Sequence, residues 1–154
     1  METNHEGAKY AFGESRLEEK EEERRMKQLG EEVERLAYRV IGAAIEVHQI
    51  LGPGFLESVY QQALEMEFRI RGISHKPQHP VSVNYKGYPV GEGRLDFLVA
   101  DVLIVELKAV ENLSPIHEAQ VISYLKMTNY PLALLINFNV PVLKQGIKRI
   151  ILSS

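Results

Sequence analysis

RLDFLVADVLIVELKAV, residues 94–110, is dense in β-branched and aliphatic side chains, yet Asp96, Glu106 and Lys108 lie inside the apolar run. Burying a charge without a partner is costly, so such groups pair, bind a metal or shift their pKa. The run is too long for one ordinary strand, and Ala100-Asp101-Val102 at its middle predicts a hairpin. A turn centred on Asp101 sets Leu95 opposite Leu107, Phe97 opposite Val105, Leu98 opposite Ile104 and Val99 opposite Leu103, every pair apolar. The same register sets Asp96 opposite Glu106, with Cβ atoms about 5 Å apart. Lys108 follows two residues on, so it shares the face of Glu106. Two opposed carboxylates repel unless a cation lies between them. The turn itself is unusual, because Ala-Asp-Val lacks the Gly or Asn that tight hairpins favour.

At 154 residues and 45% hydrophobic content, the chain is expected to form one domain with its own core. The absence of cysteine excludes disulfides and thiolate metal sites. No apolar run reaches the roughly 20 residues of a membrane span, and the charged N-terminus is unlike a signal peptide. A cytoplasmic protein with no membrane contact is therefore expected. The net charge of -3 hides an asymmetry: residues 1–34 carry 11 acidic and 6 basic side chains, whereas residues 35–154 carry 10 and 12. The mildly basic body permits a nucleic-acid partner without requiring one.

Residues 1–13 show no periodicity and are expected to be disordered. Residues 14–29 mix both signs at helical spacing and end at Gly30. Residues 1–30 are thus read as a charged tail or helix, partly disordered, ahead of a domain over 31–154. Val33, Leu36, Ala37, Val40, Ile41, Ala44, Val47, His48 and Leu51 recur every three or four positions, which predicts a helix stopped by Gly52-Pro53-Gly54. His48 on that stripe is a core histidine or stands beside a site. A second helix over 55–71 would place Glu57, Tyr60, Gln61, Leu64 and Phe68 on one face. Residues 72–80 read as a loop or edge segment whose His75 and His79 are solvated. A strand over 81–85 and another from Tyr88 flank a Lys86-Gly87 turn, and Gly91 and Gly93 mark a bulge or a close backbone approach. Ser114-Pro115 predicts the start of a helix to about Thr128. Its packing stripe is expected at Ala119, Ile122 and Leu125, with His117, Gln120 and Tyr124 on a polar face. Residues 132–138 fit a strand buried on both sides. A last strand is expected over 147–152, with Lys144 and Lys148 around it.

Gly54-Phe55-Leu56-Glu57-Ser58-Val59-Tyr60, Asp96 with Glu106-Leu107-Lys108, and Gln120-Val121-Ile122-Ser123-Tyr124 form an ordered set of polar outliers. Together they resemble the PD-(D/E)XK nuclease superfamily, and within it the GxxExxY family, over roughly residues 33–152. Leu95 stands where the superfamily motif carries Pro. The resemblance implies an α/β, restriction-endonuclease-like core of order αβββαβ, with a mixed central sheet flanked by helices, here with an extra N-terminal charged helix. It implies a Mg²⁺- or Mn²⁺-dependent nuclease that hydrolyses phosphodiester bonds of nucleic acid, DNA ahead of RNA. Asp96 and Glu106 would hold the metal, with Glu57 contributing directly or through water. Lys108 would orient or activate the attacking water, and Gln120 and Tyr124 would position the site or touch the phosphate backbone. Tyr60, His117, Lys144 and Lys148 are expected along the substrate. Three alternatives stay open: a catalytically silent nucleic-acid-binding or regulatory module on the same fold, a structural ion-pair cluster of the two acids with Lys108, and, for assembly, a homodimer.

Overall fold

A computed structural model describes residues 3–152, with side chains from residue 13 onward. Helix α1 (Thr3–Leu51) runs without a break through Gly30, where the sequence suggested two separate helices. Glycine inside a helix costs only about 1 kcal/mol, and no proline accompanies it there. Of the stretch 1–13 expected to be disordered, the backbone is helical from Thr3 onward, while residues 1 and 2 and the side chains of residues 3–12 lie outside the described residues. The chain divides into two compact units, 1–35 and 36–154. In the first, residues 13–32 are exposed on every side, and Arg25 reaches Glu21 at 3.4 Å. Such an exposed pair adds little stability.

In the second unit, α1 buries Ala37, Val40, Ala43, Ala44, Val47 and His48, close to the expected stripe. Helix α2 (Glu57–Arg71) follows and buries Tyr60, Leu64 and Phe68. Strands β1 (His75–Tyr85), β2 (Tyr88–Val99), β3 (Leu103–Lys108), β4 (Leu132–Asn137) and β5 (Ile147–Ile150) form one sheet in that order, and α3 (Pro115–Thr128) crosses between β3 and β4. Only the β3–β4 pair is parallel. The fold is the expected restriction-endonuclease-like α/β arrangement. Among the described residues no helix is long and apolar enough to cross a membrane.

Two local readings change. Residues 75–80, read as a loop or edge segment, are strand despite Pro77 and Pro80. β1 is an edge strand with a single partner, so prolines without an N–H are tolerated there. On α3 the buried positions are Val121 and Leu125, while Ala119 is exposed. They pack with Leu95, Leu98, Ile104, Ala133 and Leu135 of the sheet. The opposite face carries Phe97, whose ring meets Phe68 of α2 edge-on at 5.2 Å.

The β2–β3 hairpin forms in the register read from the sequence at Phe97↔Val105, Leu98↔Ile104 and Val99↔Leu103. Its turn works without Gly because Ala100 and Asp101 both take left-handed backbone, at φ 50° and 59°. Ordinary residues resist that region, so outside support is required. β1 and the residue before it supply it: Ala100 N donates to Ser74 O at 2.9 Å, and Lys76 Nζ meets Asp101 Oδ1 at 2.8 Å. No local turn signal could have carried that information.

Candidate active site

The β2–β3 ladder stops at Phe97↔Val105, one residue short of the acids. Asp96 and Glu106 replace the missing rungs with their own carboxylates. Asp96 N donates to Glu106 Oε1 at 2.8 Å, and Leu107 N donates to Asp96 Oδ2 at 2.7 Å. The β1–β2 register likewise has no rung between Gln78 and Asp96, where Gln78 takes φ 49°. β2 is therefore released from both neighbours at Asp96. Leu95 and Leu98, three residues apart, share the cluster under α3, so the side-chain alternation slips by one residue at this point. The expected Leu95–Leu107 rung is not formed, and Leu95 packs toward α3 instead.

Gln61, one turn beyond Glu57 on α2, donates from Nε2 to Asp96 O at 3.1 Å. It thereby ties the helix that carries Glu57 to the strand that carries Asp96. The sequence reading left Gln61 without a role. Its position four residues from Glu57 on the same face was the available signal. Gln61→Leu keeps the size but leaves the Asp96 carbonyl without this partner. It is expected to cost about 1 kcal/mol, read as a lower urea midpoint.

Glu106 is 4% exposed, and its carboxyl is pushed up to about 8. Burial is the larger cause and the charge of Asp96 the next, with Lys108 pulling the other way. Glu57, half-buried at the first turn of α2, is also raised. Burial comes first and Asp96 second, opposed by Lys108 and His117. Glu57 feels Asp96, Lys108 and His117, and Glu106 feels Asp96 and Lys108, so the structure gathers these five groups around one end of the sheet.

Lys108 opens onto a pocket of about 430 Å³ lined also by His117, Gln120 and Ser123. Two bonds fix its backbone at the end of the β3–β4 ladder. Phe138 N donates to Lys108 O at 2.9 Å, and buried Asn137, the ladder partner of Lys108, holds Val110 through both its amide atoms at 2.8 and 3.0 Å. His117 accepts from Ser114 N at Nδ1, 3.0 Å, which leaves Nε2 as the ring's N–H.

The other candidates fall elsewhere. Tyr60 is fully buried. Its hydroxyl donates to Gly52 O at 2.6 Å and accepts from Phe55 N at 3.2 Å, which clamps the Gly-Pro-Gly turn and leaves no surface for a substrate. Tyr124 packs over Gly93, where a Cβ would lie 2.6 Å from its ring, so it seats α3 on β2. The bulge foreseen beside Gly91 is present as a register slip between Val83 and Asn84. Lys148 pairs with Glu118 of α3. Lys144 lines a different pocket, with His48 and Pro53.

Residues 34–150 match the family model of the PD-(D/E)XK nuclease superfamily. The chain belongs to that superfamily. No curated protein and no solved structure matched it. The match covers every element from the last third of α1 to β5.

Proposed function

We propose that this chain is a divalent-metal-dependent nuclease, with DNA the first substrate to test. The observation that carries the reading is the Asp96–Glu106 pair, Glu106 buried and Asp96 half-buried, two residues along β3 from a Lys108 that lines a pocket. The donor set fits a hard cation. Each acid spends one oxygen on backbone, which leaves Glu106 Oε2 and Asp96 Oδ1, the latter with Gln78 at 3.5 Å. Burial of Glu106 and the like charge of Asp96 raise Glu106 toward the protonated form, and a cation between them would relieve that penalty. Among the described residues no three acidic or histidine side chains are grouped closely enough to hold a metal alone. Two carboxylates with water completing the shell suit Mg²⁺ or Mn²⁺. Glu57 then acts through water, as a neighbour of the pair.

A bound divalent ion would supply charge for the scissile phosphate and a water of lowered pKa. Lys108, two residues beyond Glu106 on β3 and lining the neighbouring pocket, orients the attacking water and offsets charge gathering on the phosphate oxygens. His117 and Gln120 donate hydrogen bonds from the pocket wall to the phosphate or sugar. Gln61 and Asn137 hold the two strands that carry the acids and the lysine. The Gly54, Glu57 and Tyr60 pattern is consistent with the GxxExxY family.

Mn²⁺ or Mg²⁺ should raise the melting temperature of the full chain and start degradation of a linear DNA, because a ligand that binds only the folded state stabilises it. Lys108→Ala should keep the metal-induced stabilisation and lose activity by about a hundredfold or more. Binding of nucleic acid without cleavage under either metal would select the silent module. No stabilisation by either ion would select the structural ion-pair cluster.

A further inference from the structure

We infer that the pocket between the end of α1 and the loop after β4 receives an unpaired nucleotide of the substrate strand. The inference rests on the nuclease reading. This pocket, about 430 Å³, is equal in volume to the one at Lys108 and is separate from it. Ile45, Pro53, Pro141, Val142 and Leu143 give it apolar walls, His48 and Gln49 add polar groups, and Lys144 is its cation; no carboxylate lines it. His48 donates from Nε2 to Val140 O at 2.8 Å, since a carbonyl can only accept. The neutral ring then keeps Nδ1 as an acceptor.

A rigid frame links this pocket to Lys108. Gly52 on its wall is held by the Tyr60 hydroxyl, Tyr60 stacks on Phe138 with centroids 4.6 Å apart, and Phe138 N donates to Lys108 O. Both pockets therefore lie at the C-terminal ends of the parallel strands β3 and β4, one toward α3 and one toward α1. Because both open at the same end of the sheet, a strand whose scissile phosphate sits at Lys108 can run on toward the second pocket. Apolar walls suit the faces of a base, and a lone cation suits its phosphate. Bases inside a duplex enter a concave pocket only by unpairing and unstacking at a cost, so a single strand or a frayed end is the favoured source of the occupant.

The test measures fluorescence anisotropy of a short labelled oligonucleotide with the full chain carrying Glu106→Gln, which blocks turnover. Single-stranded DNA, single-stranded RNA and a blunt DNA duplex of one sequence form three arms. Val142→Trp fills the pocket from a position that is 56% exposed and adds no charge. It should weaken single-strand binding by roughly tenfold, the size of one base contact, and affect the duplex less. Lys144→Ala should weaken single-strand binding by a similar factor, with a shallower salt dependence. Unchanged single-strand affinity in Val142→Trp overturns the pocket, whatever Lys144→Ala does. If the unsubstituted chain cuts nucleic acid and Val142→Trp changes nothing, this inference falls alone. If that chain neither binds nor cuts, the nuclease reading falls and takes the inference with it.

Discussion

Glu106→Gln is expected to lower metal-dependent cleavage by about a hundredfold or more and, at the same time, to stabilise the metal-free chain at pH 8. The two effects share one cause. Glutamine keeps the Oε1 acceptor for Asp96 N but cannot carry the charge that a cation needs. In the native chain the Glu106 carboxyl is raised from 4.5 to about 8, by burial first and by Asp96 second. Between those values the folded chain holds a proton that the unfolded chain has released. Stability is therefore fully present below pH 4.5, falls as pH rises toward 8, and levels off above it. At about 1.4 kcal/mol per pH unit the loss amounts to a few kcal/mol. Glu57 is raised too and adds to the loss with the same sign. In the glutamine variant the Glu106 part of this slope should vanish, leaving a near-equal urea midpoint at pH 5 and a higher one at pH 8. A variant that cleaves like the parent would remove Glu106 from the mechanism. A variant that keeps the parent's full pH slope would show that Glu106 is not the titrating group.

Gly146→Ala should be among the most damaging single changes in the chain. A Cβ there would lie 2.1 Å from Asn137 O, a backbone atom with no rotamer to yield. Overpacking of this kind costs about 3 kcal/mol or more, which for a domain of this size lowers Tm by roughly 10 °C. The strain would also reach Lys108, because Asn137 is its ladder partner and grips Val110 beyond it. Thermal melting and cleavage should therefore fall together. A Tm within about 2 °C of the parent would mean that the segment around Gly146 gives way without cost.

Periodicity made much of this molecule legible. The α1 stripe, the Ser114-Pro115 start of α3, the buried run of β4 and the register of Phe97, Leu98 and Val99 against Val105, Ile104 and Leu103 all follow from local patterning. Each of these signals lies within a few residues of the element it specifies. The acids were legible as well, because charge in an apolar strand is conspicuous wherever the strand ends up.

What the sequence determined by itself was the order of elements, the hairpin register and the identity of the charged residues that a core must accommodate. Only the tertiary structure decided how they are accommodated. The ladder lapses at Asp96, so that carboxylates stand in for rungs, and Gln61 reaches across from α2 to steady the gap. Packing likewise took Tyr60 into the interior and set Tyr124 over Gly93, although their motif spacing pointed to a substrate. The physical reason is range: spacing along a chain fixes which side chains share a face, but the distance between two faces depends on everything packed around them.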